Sequence, residues 1–219
     1  QSYDVSSRCP LHFSSVNLEK REIFHSLAEE FFDLIEIPHR PLLYRGQYDA
    51  MQMGIDRLAL IESTLSISGE NEPCVMVSCG TVTVVDFIDP SGLHLGGWLI
   101  PGVQTAASSL SQYTAQLPQI DVMQNGGSDK LAAIGGQNTV AAIVAGSRHM
   151  LSAMLYHARS QLARYCNVRP AAVKTILTGG YADAIPPEQD HVLRVPHLLI
   201  NGLRLMVIGG QVGKTESTS

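Results

Sequence analysis

The segment "GIDR", residues 54–57, places a carboxylate and a guanidinium at the expected start of a helix. A helix N-terminus stabilises negative charge, so we expect Asp56 to be ionised there. An ionised aspartate within reach of a hydroxyl can accept its proton during phosphoryl transfer. Arg57 can bind a carboxylate or a phosphate through two parallel hydrogen bonds. The motif fits an exposed helix start with an adjacent ion pair as well, so it does not decide the function alone.

Two glycine-containing breaks could approach a phosphate group. Gly80 and Thr81 interrupt the β-rich run "SCGTVTVVD", where the glycine permits close approach of the backbone and the threonine offers a hydroxyl and an N–H. Gly179 and Gly180 end the strand-like run "TILTGG", an arrangement common at the edge of nucleotide sites. A plain hairpin and a plain strand-to-helix turn remain open as explanations of these two breaks.

Composition narrows the classes of function. The 219 residues are 45% hydrophobic and 16% charged, which is typical of a folded globular protein. The net charge of -5, without a cluster of Lys and Arg, argues against nucleic-acid binding. No apolar run approaches the roughly 20 residues of a membrane span, and the N-terminal residues do not resemble a signal peptide. The scattered cysteines and histidines show no paired metal spacing, so we expect free thiols in a reducing cytoplasm.

The elements that must position these motifs fall into two groups. Before the polar break "SGENEP" we expect a strand at "LHF", a helix capped by Asn17 with apolar positions as far as Ile35, and a helix from Ile55. This break places a domain boundary near residue 70, which gives residues 1–70 and 71–219 as two domains.

The second group contains the glycine motifs. We expect an antiparallel meander of three strands, a helix beginning near Val103, and a long helix over Thr139–Cys166 with Asn138 as its N-cap. A strand before Gly179, an edge strand at "HVLRVP" and a helix at "HLLINGLRLMVI" complete an α/β core with a mixed sheet. The final "GGQVGKTESTS" is expected to be a frayed tail, because the phosphate-binding glycine spacing is absent.

In their order along the chain, these motifs resemble the type III pantothenate kinases, members of the acetate and sugar kinase/actin-like superfamily. The resemblance extends from about residue 14 to residue 205. It rests on "SSVN", "GIDR", "CGTVTVVD", "GLHLGGWLIPG", "YTAQLP", "GQNT", "ILTGG" and "VPHLLINGL". The most specific part is "GLHLGGWLIPG" followed by "YTAQLP". The resemblance implies an α/β actin-like ATPase (ribonuclease H-like) fold of two domains.

The resemblance also implies an activity. A cytoplasmic homodimer would transfer the γ-phosphate of ATP to the 4′-hydroxyl of pantothenate, the first step of coenzyme A biosynthesis, with Mg²⁺ bridging phosphate oxygens. Asp56 would be the base that takes the hydroxyl proton. Gly80 and Thr81 would face the nucleotide phosphates, and Gly179 and Gly180 would border the adenosine.

The resemblance also implies which residues contact the substrate pantothenate. The residues that would hold pantothenate are Tyr48, Gly54, Ile55, Arg57 and Thr139. The helix that starts at Thr139 would build the dimer, with the pantothenate pocket at the interface. Its small residues would allow close approach of helices: Ala141, Ala142, Ala145 and Gly146.

Departures from the family pattern keep a second reading open. Family members begin with an Asp-x-Gly-Asn-Thr phosphate motif that this sequence lacks, so we expect the first domain to be incomplete at its N-terminus. Ser78 stands at the monovalent-cation position usually held by aspartate, and a neutral hydroxyl is a weaker ligand for K⁺ or NH₄⁺. Val82 stands where family members usually have an alanine after the Gly-Thr pair. One alternative is a non-catalytic dimer that binds pantothenate or a partner and acts as a regulatory or binding protein. Another is an unrelated sugar or acid kinase of the same superfamily, but such a kinase would not explain the motifs "GQNT" and "GIDR".

Overall fold

The computed structural model describes residues 8–69, 71–124, 134–185 and 192–215, with side chains described as far as Gly209. In chain order the elements are β1 (Cys9–Phe13), α1 (Leu18–Ala28), β2 (Phe32–Glu36), α2 (Ile55–Ile67), β3 (Cys74–Cys79), β4 (Val82–Ile88), β5 (His94–Pro101), α3 (Val103–Tyr113), α4 (Thr139–Cys166), β6 (Lys174–Thr178), β7 (Val192–Arg194) and α5 (Leu198–Thr215). None of the helices in these described ranges is long and apolar enough to cross a membrane.

The chain divides into two compact units. The first comprises residues 1–44, 48–67 and 198–219, and the second comprises residues 45–47 and 68–197. The division after Ile67 lies near the boundary expected at residue 70. Helix α5, expected in the second domain, groups with the first unit.

The first unit contains a two-stranded parallel sheet connected by α1. Strand β1 pairs with β2 from Cys9 opposite Phe32 to Phe13 opposite Glu36. Asn17 caps α1 as predicted, because its side chain accepts a hydrogen bond from the N–H of Lys20 at 2.9 Å. The prediction that this helix continues to Ile35 is wrong, since α1 ends at Ala28 and the next apolar residues form β2.

Helices α2 and α5 of the first unit approach each other backbone to backbone. A Cβ on Gly202 of α5 would lie 1.8 Å from the carbonyl oxygen of Ala59 on α2, so only glycine fits at this contact. The predicted frayed tail is wrong as far as Thr215, because α5 continues to that residue. Gly209 lies against Leu42, whose Cδ1 would be 2.5 Å from an added Cβ. Residues 216–219 lie outside the described residues.

The second unit is built on a five-stranded mixed sheet in the order β5-β4-β3-β6-β7. Strands β3, β4 and β5 form the predicted antiparallel meander, whereas β6 runs parallel to β3 and β7 parallel to β6. The predicted α/β fold class and the predicted edge strand are therefore confirmed. The predicted loop "NGGSDKLAAIGG" falls largely outside the described residues.

Helix α4 packs against this sheet and supplies much of the core of the second unit. Leu151, Leu155 and Leu162 of α4 are buried together with Val75 and Val77 of β3. The predicted cap is confirmed, because the side chain of Asn138 accepts a hydrogen bond from the N–H of Ala141 at 2.9 Å. The sheet and α4 thus fix the ends of β3 and β6, where the glycine motifs lie.

Candidate active site

The start of α2 holds the carboxylate of Asp56 in a defined place. The side-chain Oδ1 accepts a hydrogen bond from the N–H of Arg57 at 2.8 Å, and the Gly54 carbonyl accepts the first helical hydrogen bond, from Leu58, at 3.0 Å. A Cβ on Gly54 would lie 2.5 Å from Asp56 Oδ1. Because Asp56 is exposed, its free carboxylate oxygen can reach a ligand. Glycine at position 54 is therefore what leaves room for the carboxylate.

Arg57 lies beside an aromatic ring in the same unit. Its guanidinium carbon is 5.7 Å from the centroid of the Tyr48 ring, within the range of a cation–π interaction. Tyr48 remains 45% exposed as a residue, so it is accessible to a ligand. The first unit thus brings Tyr48 close to the Gly54–Arg57 segment, as the sequence analysis grouped them.

A polar pocket adjoins the same helix start. Ile55 lines a cavity of about 390 Å³. The other lining residues lie at the end of β2 or directly after β1 and β2: Ser14, Ser15, Glu36, Ile37, Pro38 and His39. This pocket was not predicted from the sequence, although its Ser14 and Ser15 belong to the motif "SSVN".

In the second unit, the turn between β3 and β4 is fixed by the start of α3. The carbonyl oxygen of Thr81 accepts hydrogen bonds from the N–H of Gly102 at 2.9 Å and from the Thr105 hydroxyl at 2.7 Å. A Cβ on Gly102 would lie 2.0 Å from the carbonyl oxygen of Gly80. Gly102 and Thr105 were not predicted as site residues; the signal that could have found Gly102 is the "PG" that ends "GWLIPG".

The second glycine motif meets the first at the carboxyl ends of two parallel strands. Ser78 on β3 is the register partner of Thr178 on β6. Gly179 has a φ of +98°, and a Cβ on it would lie 2.4 Å from the carbonyl oxygen of Cys79. A Cβ on Gly180 would meet no atom within 4 Å, so the space beside it is open. The structure therefore brings together the two glycine motifs that the sequence analysis proposed for nucleotide binding.

Two further residues support this edge of the sheet. Burial raises the pKa of the Cys79 thiol to about 12, although the positive charge of Arg194 acts to lower this pKa. The thiol is therefore protonated at neutral pH and is unsuited to act as a nucleophile. Arg194 donates hydrogen bonds to the carbonyl oxygens of Ala182 and Ile185, each at 2.7 Å, and so holds the segment after Gly180. From the sequence, Arg194 was predicted only as part of an edge strand.

Thr139 lies elsewhere in the second unit, as the exposed first residue of α4. It lines a groove of about 540 Å³ between α3 and α4. The other lining residues are mostly apolar: Ala106, Leu110, Leu117, Ala142, Ile143, Gly146, Ser147 and Met150. Ala142 and Gly146 are exposed, whereas Ala145 is buried within the unit and is not available for contact with another helix.

The described part of the chain contains no cluster of side chains that could bind a metal ion. Within the described ranges, no three or more His, Cys, Asp or Glu side chains are grouped so that they could hold a metal ion. His94 is buried, and its Nε2 lies 2.8 Å from Oδ1 of Asp86, also buried. The two side chains hydrogen-bond to each other in the interior of the second unit, which is a structural arrangement.

The family model and the curated relatives that match this chain name the same family. The model of the type III pantothenate kinase family matches residues 8–175. A type III pantothenate kinase of Janthinobacterium sp. (strain Marseille) is 35% identical over 167 residues, covering 75% of this chain and 61% of the relative. One of Herminiimonas arsenicoxydans is 32% identical over 159 residues, covering 72% and 58%. The chain thus spans about three fifths of the length of these curated relatives.

A solved structure shares the fold. A Campylobacter jejuni protein described as a conserved Baf family transcriptional activator superimposes with a TM-score of 0.63 at 20% identity. The alignment covers 94% of this chain and 85% of that one. At this identity the likeness concerns the fold alone.

Proposed function

The chain belongs to the type III pantothenate kinase family, and from that premise we propose that it transfers the γ-phosphate of ATP to the 4′-hydroxyl of pantothenate. This reaction is the first step of coenzyme A biosynthesis. The observation that carries the proposal is the start of α2, where Asp56 and Arg57 occupy the family's "GIDR" motif and Gly54 leaves room for the carboxylate. An aspartate held in this way suits proton abstraction from an alcohol.

The residues of the first unit would bind the acceptor substrate. Asp56 takes the proton of the 4′-hydroxyl as the oxygen attacks phosphorus, so that the O–P bond forms while the bond to ADP breaks. Arg57 binds the pantothenate carboxylate, because a guanidinium can donate two parallel hydrogen bonds to it. Tyr48, Gly54 and Ile55 complete the contacts to this substrate, and Thr139 of α4 adds a further one.

The residues of the second unit would bind the nucleotide. Gly80 and Thr81 present the turn between β3 and β4 to the phosphates, where backbone N–H groups stabilise negative charge. Gly179 and Gly180 border the adenosine, and the open space beside Gly180 supports this role. Phosphoryl transfer depends mainly on positioning and charge stabilisation, so the rigidity of these turns matters for the rate.

The proposed reaction would use Mg²⁺ bound to ATP. Mg²⁺ would be carried by the phosphates of ATP and would supply charge neutralisation there, so the proposal requires no set of protein side chains dedicated to it. A monovalent cation, K⁺ or NH₄⁺, would be held near Ser78. Because a neutral hydroxyl is a weak ligand, the proposal includes no obligatory monovalent cation.

The remaining expectations concern assembly and location. We propose a homodimer through α4, where the exposed Ala142 and Gly146 would permit close approach of a second helix. A cytoplasmic location remains a prediction from the thiols and from the pathway.

The proposal is tested by incubating the protein with ATP, Mg²⁺ and pantothenate. We expect ADP release, followed in a coupled assay, to require pantothenate, and mass spectrometry to detect 4′-phosphopantothenate. A pantothenate analogue without the 4′-hydroxyl is the control and should bind without releasing ADP. Calorimetric binding of pantothenate with no phosphorylated product would contradict the kinase proposal and support the non-catalytic alternative.

The variant Gly54→Ala tests the positioning of the base. Its Cβ would lie 2.5 Å from Asp56 Oδ1, so the carboxylate must move while the rest of α2 is preserved. We expect kcat to fall about 100-fold, the low end of the contribution of a general base. The KM for ATP and the Tm should stay at wild-type values. Steady-state kinetics measure kcat and the KM, and a thermal melt measures the Tm. A wild-type kcat would show that the placement of the Asp56 carboxylate does not govern the rate.

A further inference from the structure

A buried carboxylate of the first unit has no role in the chemistry proposed above. Glu62 lies on α2, six residues after Asp56, and is 0% exposed. A charged side chain in an apolar interior is destabilising unless hydrogen bonds compensate it. Its surroundings therefore decide what it does.

Three consecutive backbone N–H groups converge on the Glu62 carboxylate. Oε1 accepts from Leu42 at 2.8 Å and from Tyr44 at 3.0 Å, and Oε2 accepts from Leu43 at 2.8 Å. Successive N–H groups that converge in this way form an anion-binding concavity, and hydrogen bonds to a charged acceptor are stronger than neutral ones. Glu62 thus fixes the irregular segment 42–44 to α2, the helix that carries Asp56 and Arg57.

The fixed segment reaches the ligand-facing residues through Tyr44. Its hydroxyl donates a hydrogen bond to the carbonyl oxygen of Tyr48 at 2.8 Å. Tyr48 in turn places its ring 5.7 Å from the guanidinium carbon of Arg57. The contacts therefore form a continuous path from Glu62 through Tyr44 to the Tyr48–Arg57 pair.

We propose that Glu62 is a positioning residue for the acceptor substrate, which holds Tyr48 against Arg57 by way of the segment 42–44 and the Tyr44 hydroxyl. The kinetic part of this inference rests on the proposed function, since it takes Tyr48 and Arg57 as pantothenate contacts. The structural part, the dependence of the Tyr48–Arg57 contact on Glu62, does not depend on which substrate is bound.

The variant Glu62→Gln removes one acceptor and keeps the size of the side chain. An amide offers one oxygen and places an NH₂ donor where Oε2 accepted from Leu43, so at least one of the three hydrogen bonds is lost. We expect the KM for pantothenate to rise about 10- to 100-fold, the range for a lost hydrogen bond to a charged group. The kcat and the KM for ATP should change less than about threefold, whereas mere unfolding would lower the active fraction and leave both KM values unchanged.

Two matched variants separate the steps of the path. Tyr44→Phe removes only the hydroxyl, so it should raise the KM for pantothenate while the amides of residues 42–44 keep their protection from hydrogen exchange. Glu22→Gln neutralises an exposed glutamate on α1 in the same unit and should behave as wild type.

An NMR measurement tests the structural part without any activity. The Nε–H resonance of Arg57 senses the ring current of Tyr48, and we expect Glu62→Gln and Tyr44→Phe to move it towards its position in Tyr48→Ala. An unmoved resonance in Glu62→Gln would overturn the inference even if the protein were not a pantothenate kinase. A moved resonance with an unchanged KM for pantothenate, in a protein that phosphorylates pantothenate, would overturn its kinetic part. Absence of pantothenate phosphorylation by the wild type would instead refute the proposed function.

Discussion

Asp56→Asn is expected to lower kcat by about 100- to 10,000-fold, the range for removal of a general base. Asparagine cannot accept the hydroxyl proton, but its side-chain oxygen can still accept the hydrogen bond from the N–H of Arg57. The start of α2 should therefore keep its geometry, and the Kd for pantothenate should stay within about threefold because the carboxylate contact belongs to Arg57. Coupled kinetics and calorimetry measure the two quantities.

The matched control is Asp33→Asn, which neutralises an exposed carboxylate on β2 of the same unit. It should leave kcat and the Kd for pantothenate unchanged. A turnover of Asp56→Asn equal to that of the wild type would remove Asp56 from the mechanism. Loss of pantothenate binding together with turnover would reassign it to substrate binding.

Gly179→Ala is expected to weaken ATP binding at least tenfold and to lower the Tm. Its φ of +98° is unfavourable for any residue with a Cβ, and the Cβ would lie 2.4 Å from the carbonyl oxygen of Cys79. A left-handed conformation alone costs alanine about 1–2 kcal/mol, and the clash is with backbone, which cannot rotate away. The ends of β3 and β6 must therefore separate, which displaces the turn at Gly80. Calorimetry with ATP and a thermal melt measure the two effects.

Gly180→Ala is the control for the backbone effect. An added Cβ there would meet no atom within 4 Å, so we expect the Tm of the wild type. Any loss of ATP affinity in this variant would then report a contact with the nucleotide itself. A Gly179→Ala protein with normal Tm and normal ATP affinity would show that neither the φ nor the close approach to Cys79 matters.

Local signals in the sequence were sufficient to predict most of the helices and strands. Asn17 and Asn138 were recognised as caps because a side-chain oxygen before an apolar run is a local feature. The helix predicted through Ile35 failed because the apolar residues there also suit a strand, and pairing with β1 decides between the two. The prediction of a frayed tail after Ile208 failed for a similar reason, because Gly209, unfavourable in an isolated helix, makes room for Leu42.

The candidate site was predictable where it is contiguous in sequence. The "GIDR" segment and the two glycine motifs are short, so their residue types alone suggest phosphate or carboxylate chemistry. Glu62 was not predictable, since its partners lie 18–20 residues earlier in a segment without periodicity. Gly102 was missed for the same reason, because its contact with the turn at Gly80 depends on how β5 pairs with β4.

Because α5 belongs to the first unit but follows the second unit in sequence, the first unit cannot complete its fold until the end of the chain is synthesised. The ribosome releases residues 68–197 before the helix that packs on α2, so the second unit can acquire its sheet while the first still lacks its final helix. Until Gly202 reaches Ala59, the apolar side of α2 stays unprotected in the nascent chain. Contacts between residues so distant in sequence slow folding, so maturation of the first unit is the step at which chaperones would be most needed.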